Sequence, residues 1–387
     1  MPCVLPRYGG LCLDRLLPAV GAHLGVPGCA DDPFGLADAR RYVVLLVDGL
    51  GFQAVVGALD VAPALADLMD GVLELTAVVP STTAASLASL GTGLTPGEHG
   101  LVGYRFFVPD LGRCLAPLNW DVQVSPETVQ PRPTWFQRAA SAGVGVGLVL
   151  PPEQVGSGFT RAALRGPGTV AAVEPKTEAE ATAWVETVVR AAAASDRSLV
   201  YAYHRGLDHV GHAAGLASDR WLDALVALDR LVARLRQALD SGTVLLITGD
   251  HGMVDVPADH RLTIEDRPEL AADLTRIGGE GRFRHLYSDQ PQAVAARWRD
   301  CLGDRAWVEE RASAIAQGWF GPVEPLARAR LGDVVVALRQ DWAVLSRRTP
   351  VEAKLIGMHG SLTRREMVVP LFSSVPFLER LERRPQP

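Results

Sequence analysis

An α/β fold built on a mainly parallel sheet is what this chain of 387 residues predicts. Two patterns point there. Short runs that are apolar at nearly every position recur along the chain, as strands covered on both faces require. Between them lie longer segments with apolar residues three or four apart, the spacing of helices. Strand–helix alternation of this kind favours neighbouring parallel strands.

Taken in order, RYVVLLVD (41–48) is the first predicted strand, and it ends on Asp48 and Gly49. VLELTAVVP (72–80) is the second and leads into Ser81, Thr82 and Thr83. VGVGLVLP (144–151) is the third. PKTEAEATAWVETVVRAAAA (175–194) has helical spacing. SLVYAY (198–203) is a strand that opens into a polar stretch holding His204, Asp208, His209 and His212. The segment 218–242 predicts a helix with Leu222, Leu225, Leu228, Leu231 and Leu235 on one stripe, capped by Ser218 or Asp219. TVLLITGD (243–250) is the last clear strand and ends on Asp250, His251 and Gly252. From about 255 to 350 the chain is more charged and less regular. This region is expected to be a cap or insertion, with LGDVVVALRQDWAV (331–344) supplying further strands. The catalytic core is then expected from residues 1–254 and 351–387.

Composition narrows the function classes. Apolar residues make up 48%, enough for a sizeable core, and the net charge is -6. That mild acidity, with no block of one sign, argues against coating nucleic acid, and no stable nucleic-acid complex is expected. The cysteines, Cys3, Cys12, Cys29, Cys114 and Cys301, are odd in number and hold no C-x-x-C. Neither a disulfide framework nor a cysteine zinc site is expected. The first residues lack a basic-then-apolar leader pattern, and no apolar run approaches the ~18 residues of a membrane span. A soluble, cytoplasmic protein is the expectation. Oligomeric state is not readable.

In open α/β sheets, ligands gather beyond the carboxyl ends of the strands. Four predicted strands deliver Asp48, Asp250 with His251, Asp208 with His212, and the Ser-Thr-Thr cluster to that edge. Each piece alone has a plain structural explanation: a helix cap, a turn, a surface pair, a helix start. Together they gather three carboxylates and two imidazoles in one crevice. Such carboxylates repel each other unless cations neutralise them. Mixed Asp/His ligation suits Zn2+ or Mn2+, and five ligands exceed one tetrahedral zinc, so two divalent ions are expected. A further imidazole is needed, and GMHGS supplies His359 between glycines.

These residues resemble the alkaline phosphatase superfamily, and within it the nucleotide pyrophosphatase/phosphodiesterase branch. The resemblance rests on VVLLVDGLG, PSTTAASLASLGTGLTPGEHGLVGY, LDHVGHAAG, ITGDHGM and GMHGS, in that order, over positions 43 to 361. It implies a three-layer sandwich, a mainly parallel central sheet flanked by helices, with a small cap insertion. It implies one metal on Asp208, His212 and His359, and another on Asp48, Asp250 and His251. The nucleophile lies in PSTT and is implied to be Thr83, also a metal ligand, although the residues alone do not separate it from Thr82. The branch usually has Asn three residues on, donating to the phosphoryl oxygen; here Ser86 takes that place and role with a shorter reach. No C-x-P-x-R or S-x-P-x-R segment occurs, which disfavours the sulfatase branch.

The implied function is metal-dependent hydrolysis of phosphodiester or pyrophosphate bonds in a small phosphorylated substrate such as a nucleotide, through a phosphoryl-threonine intermediate. The alternatives are a phosphomonoesterase on the same site and a phosphomutase. Tyr104, Arg282 and Arg284 are expected substrate contacts. Phe106 and His285 lie beside them in sequence as further candidates. His99 is expected to be structural, and His204 and His209 to lie outside the ligand set.

Overall fold

A computed structural model describes residues 2–28, 31–120, 122–166 and 168–378, so Cys29 lies outside the described residues. Its centre is a seven-stranded sheet. The strands are β1 (Arg41–Val47), β2 (Leu73–Thr76), β3 (Gly145–Leu150), β4 (Thr169–Ala172), β5 (Ser198–His204), β6 (Thr243–Gly249) and β7 (Val368–Ser373), in the spatial order β2-β7-β6-β1-β5-β3-β4. All pairings are parallel except those of β7, which runs antiparallel to β2 and β6.

The all-apolar sequence of β1 has a direct packing reason. Tyr42, Val44 and Leu46 enter the apolar cluster on one face, while Val43, Leu45 and Val47 enter the cluster on the other. Helix α1 (Thr83–Thr92) covers the first face with Ala84, Leu87, Ala88 and Leu90. Helices α2 (Glu178–Ala193) and α4 (Asp219–Ala238) cover the second with Trp184, Val188, Leu225, Leu228 and Leu235. Three layers result. Each fully buried Leu contributes roughly 1.5–3 kcal/mol. Ser218, not Asp219, caps α4: its side chain accepts from Trp221 N at 3.2 Å.

The second predicted strand is shorter than its apolar run, pairing only over Leu73–Thr76. Two strands of the sheet, β4 and β7, fall outside the sequence reading; β4 is short and largely exposed, and β7 contains Pro370.

Residues 255 to 350 hold a second, four-stranded antiparallel sheet, ordered Arg276–Glu280, Phe283–Tyr287, Val334–Leu338 and Ala306–Glu310. Along Val334–Leu338 the side chains alternate with period two. Val335 and Ala337 join the main core, with Phe283, Trp319 and Phe320. Val334, Val336 and Leu338 join a separate cluster with Val294 and Trp298. This region is therefore packed into the body of the molecule along one face. Among the described residues no helix is long and apolar enough to cross a membrane.

Candidate metal and catalytic site

Register along β1 sets the site. Val47 lies opposite His204 of β5 and Gly249 of β6, so the three strands end level with one another. Asp48, Asp250 and His251 come directly after. Helix α3 (Gly206–Ala214) starts two residues after β5 and carries Asp208 and His212 one turn apart. Gly49, at φ 74°, permits the close approach of that helix, because an added Cβ would meet Asp208 Cα at 3.1 Å. The loop with His359 is held beside the nucleophile segment by Ser81 N donating to Gly360 O at 3.1 Å.

All six expected ligands converge. One donor atom each from Asp208, His212 and His359 lies within 4.8 Å of the others, and the same is true of Asp48, Asp208 and His251. Asp208 therefore reaches both groups. Asp250 joins through Oδ2, 3.5 Å from His251 Nε2, which is also 3.5 Å from Asp48 Oδ1.

Apart from the Thr83 hydroxyl at His251 Nε2, the hydrogen bonds leave the ligand atoms free. His251 Nδ1 donates to Gly252 O at 3.1 Å, His212 Nδ1 to Gly357 O at 2.8 Å, and His359 Nδ1 to Ser81 O at 3.1 Å. Each Nε2 therefore presents its lone pair to the centre, as a ligating tautomer requires. Asp250 Oδ1 accepts from Gly49 N and His251 N, and Asp48 Oδ2 from the Tyr203 hydroxyl. The remaining oxygens, Asp48 Oδ1, Asp208 Oδ1 and Asp250 Oδ2, are buried without a hydrogen-bond partner. Three orphaned carboxylate oxygens facing three imidazole lone pairs fit divalent cations, and little else offsets that desolvation. Without cations, burial first and then Asp208 and Asp250 push the Asp48 carboxyl well above its usual range. Burial likewise raises Asp250. Burial, then His251 and His212, hold His359 well below the usual imidazole range.

Thr83 is the first residue of α1, and its Oγ1 lies 3.1 Å from His251 Nε2. Thr82 precedes the helix with its hydroxyl buried and unbonded, and both line a cavity of about 370 Å³ with Asp48, Asp208, His212 and His359. Ser86 lies one turn into the helix, fully buried, with no hydrogen-bond partner, and is not part of the cavity wall.

The other expected contacts divide. Tyr104 lines the cavity. Arg282 and Arg284 do not meet substrate: they are 0% and 1% exposed, paired with Glu366 and Glu352. Two residues apart on the hairpin, both are buried, and neither forms part of the cavity wall. Phe106 is fully buried core, with Arg330 over its ring. His99 accepts from Leu101 N and bonds the Ser89 hydroxyl, and His285 bonds Val102 O and Gly332 N, so both are structural. His209 is exposed, and His204 Nδ1 accepts from Gly206 N.

Sequence reasoning missed Tyr203, Arg205, Glu153 and Glu280, which all line the cavity. Glu280 Oε1 is another buried atom without a partner, and burial pushes that carboxyl well above its usual range. Arg205 is the one lysine or arginine among the described residues of the wall, and it is held by Glu174, at 2.6 and 2.8 Å, and by Glu153. Tyr203 had a readable signal, as the last inward aromatic of a strand ending at the site.

Comparisons with known proteins bear on the fold and the family. The murine ectonucleotide pyrophosphatase/phosphodiesterase 5, solved as an inactive variant in complex with AMP, superposes with TM-score 0.69 at 16% identity, covering 86% of this chain and 87% of that one. The human protein of the same name gives TM-score 0.69 at 14% identity over the same shares. GPI ethanolamine phosphate transferase 3 of Schizosaccharomyces pombe is 40% identical over 55 residues, 14% of this chain, and the match spans 6% of that protein. The profile of the type I phosphodiesterase / nucleotide pyrophosphatase family matches residues 42–362, and the chain belongs to that family.

Proposed function

We infer that this chain is a metal-dependent phosphodiesterase that works through a phosphoryl-threonine intermediate. The observation that carries the reading is the convergence of three unpartnered carboxylate oxygens and three imidazole lone pairs beside Thr83 Oγ1. Asp208, His212 and His359 would hold one divalent cation, and Asp48, Asp250, His251 and Thr83 a second; mixed Asp/His sets suit Zn2+ or Mn2+. When bound, the cations lower the pKa of the threonine hydroxyl and neutralise charge developing on the phosphoryl oxygens.

The protein's own groups do the rest. Thr83 stands at a helix N-terminus, where free N–H groups and the helix dipole favour an anion. Its Oγ1 attacks phosphorus in line; the Thr–O–P bond forms as the bond to the leaving alcohol breaks. The threonine proton passes to solvent, and the leaving alkoxide takes one up from solvent water. Water then cleaves the phosphoryl-threonine and restores the hydroxyl. Tyr203 and the Gly49 and His251 amides hold the two buried aspartates in orientation throughout.

The wall of the cavity favours a diester over a monoester. A monoester brings extra negative charge to its terminal oxygens and calls for a free cation there. Arg205 is already neutralised by Glu153 and Glu174. Leu118, Phe159, Leu355 and Met358 give an apolar wall for a second ester group. A nucleotide is one such substrate, since the murine relative was solved with AMP.

The test compares zinc-loaded protein on bis-p-nitrophenyl phosphate and p-nitrophenyl phosphate. The diester is expected to turn over faster; a faster monoester would overturn the assignment. Acid-quenched turnover of the diester followed by peptide mass analysis is expected to find a p-nitrophenylphosphoryl adduct on the peptide containing Thr83.

A further inference from the structure

The hairpin arginine expected at the substrate has a different setting. Arg282 Nε donates to Glu366 Oε1 at 3.0 Å and its terminal nitrogen to Glu366 Oε2 at 2.6 Å. The guanidinium also reaches Leu338 O at 3.1 Å and Trp342 O. Both partners are 0% exposed. Glu366 in turn touches the two histidine segments. Its Oε1 accepts from Ser361 N at 3.0 Å, two residues after His359. Its backbone carbonyl accepts from Gly252 N at 2.8 Å, and Gly252 O is the acceptor that orients His251. The two imidazoles so held stack on each other, with centroids 3.6 Å apart and planes 18° from parallel. Ser81 closes the circuit: it accepts from His359 Nδ1, and its hydroxyl donates to Ser361 O at 2.7 Å.

We propose that the buried Arg282–Glu366 pair is a positioning element that fixes His251 and His359 against each other, and so sets the relation between the two metal groups. This rests on the reading of those histidines as ligands. Two facts favour positioning over simple stability. A buried ion pair is weak as a stabiliser, since apolar residues of similar volume often replace it without loss. And Glu366 bonds the backbone beside one histidine from each metal group, with its side chain at Ser361 N and with its own carbonyl at Gly252 N, and outer-shell partners of this kind typically set ligand geometry. An added Cβ at Gly252 would stand 1.9 Å from Arg365 O, so the segment next to Glu366 has no room to shift independently of His251.

The experiment measures zinc affinity by competition with a chromophoric chelator, together with the melting temperature of the metal-free protein. Wild type is the reference: failure to take up zinc would sink the ligand reading itself, and this inference with it. The double variant Arg282→Met with Glu366→Leu removes the pair but keeps its volume. The expected result is a melting temperature close to wild type with zinc held roughly 10–100-fold more weakly. Unchanged zinc affinity in a folded double variant would overturn the proposal, because a merely structural pair is restored by apolar packing. Should that variant not fold, Arg282→Lys carries the test. It keeps the charge and loses the forked contact; it is expected to bind zinc about tenfold more weakly, and wild-type affinity would again overturn the proposal.

Discussion

The two halves of the metal site are made by different means. Asp48, Asp250 and His251 stand at the ends of adjacent strands and are 4%, 0% and 0% exposed. Asp208 and His212 ride on a helix, their side chains 16% and 23% exposed. Their third partner, His359, arrives from a late loop. The closed half is set by sheet register, which a run of β1 hydrogen bonds enforces over seven residue pairs on each side. The open half depends on contacts between distant segments, among them Ile356 N to His212 O and His212 Nδ1 to Gly357 O, both 2.8 Å. One half is thus closed to solvent, while the other keeps part of its side-chain surface exposed.

Thr83→Ala bears on both halves at once and has the largest expected effect. Turnover should fall by roughly 10³-fold or more, as loss of a nucleophile does, while most bound metal remains. Retained turnover would move the nucleophile, with Thr82 the first alternative. Asp250→Asn comes next. It removes a charge from the closed half, where water cannot substitute, and zinc affinity is expected to fall by more than the roughly 100-fold upper range of outer-shell changes. His212→Ala should cost about tenfold less than that, because the open half admits a replacement water. Equal losses in the two variants would erase the difference between the halves. Tyr203→Phe only removes the donor to Asp48 Oδ2 and is expected to weaken zinc binding roughly tenfold, measured by the same competition.

The smallest effect separates metal release from acid unfolding. Burial lowers His285 to about 4, and its ring nitrogens bond Val102 O and Gly332 N, an arrangement only the neutral ring can satisfy. The unfolded chain binds a proton near pH ~6.5, while the folded one resists it. Stability is therefore full above that pH and declines as pH falls toward 4. Melting temperature against pH in metal-free protein should show this acid limb, and His285→Gln, which can still donate and accept, should lessen its slope, the buried His99 and His204 sustaining the rest.

Much of the fold was legible because both faces of the central strands are covered. That burial demands the near-continuous apolar runs seen at 41–47, 145–150, 198–203 and 243–249, and the helices betray themselves by the leucine stripe of α4. The strands β4 and β7 were not legible. One is a short edge and the other carries Pro370, opposite Glu74, so neither shows the pattern of a buried strand. The clustering of the candidate ligands was legible for a related reason: polar groups standing directly after buried strands have nowhere to go but the sheet edge. Arg282 and Arg284, expected at the substrate, were misjudged on the same ground. Charged residues in an irregular region read as exposed, yet Arg282 and Arg284 are buried because Glu366 and Glu352, 84 and 68 residues away, neutralise them. Glu280 was passed over within that very segment.

By itself, then, the sequence determined which side chains stand at the ends of the central strands, since local apolar patterning decides where strands stop and which residues come next. Only the tertiary structure decided that Asp208 faces both metal groups, that Thr83 and not Thr82 meets His251, and that the hairpin arginines point inward. Those outcomes depend on pairings between segments far apart in the chain, which arise from mutual burial and hydrogen bonding and leave no periodic trace in the residues themselves.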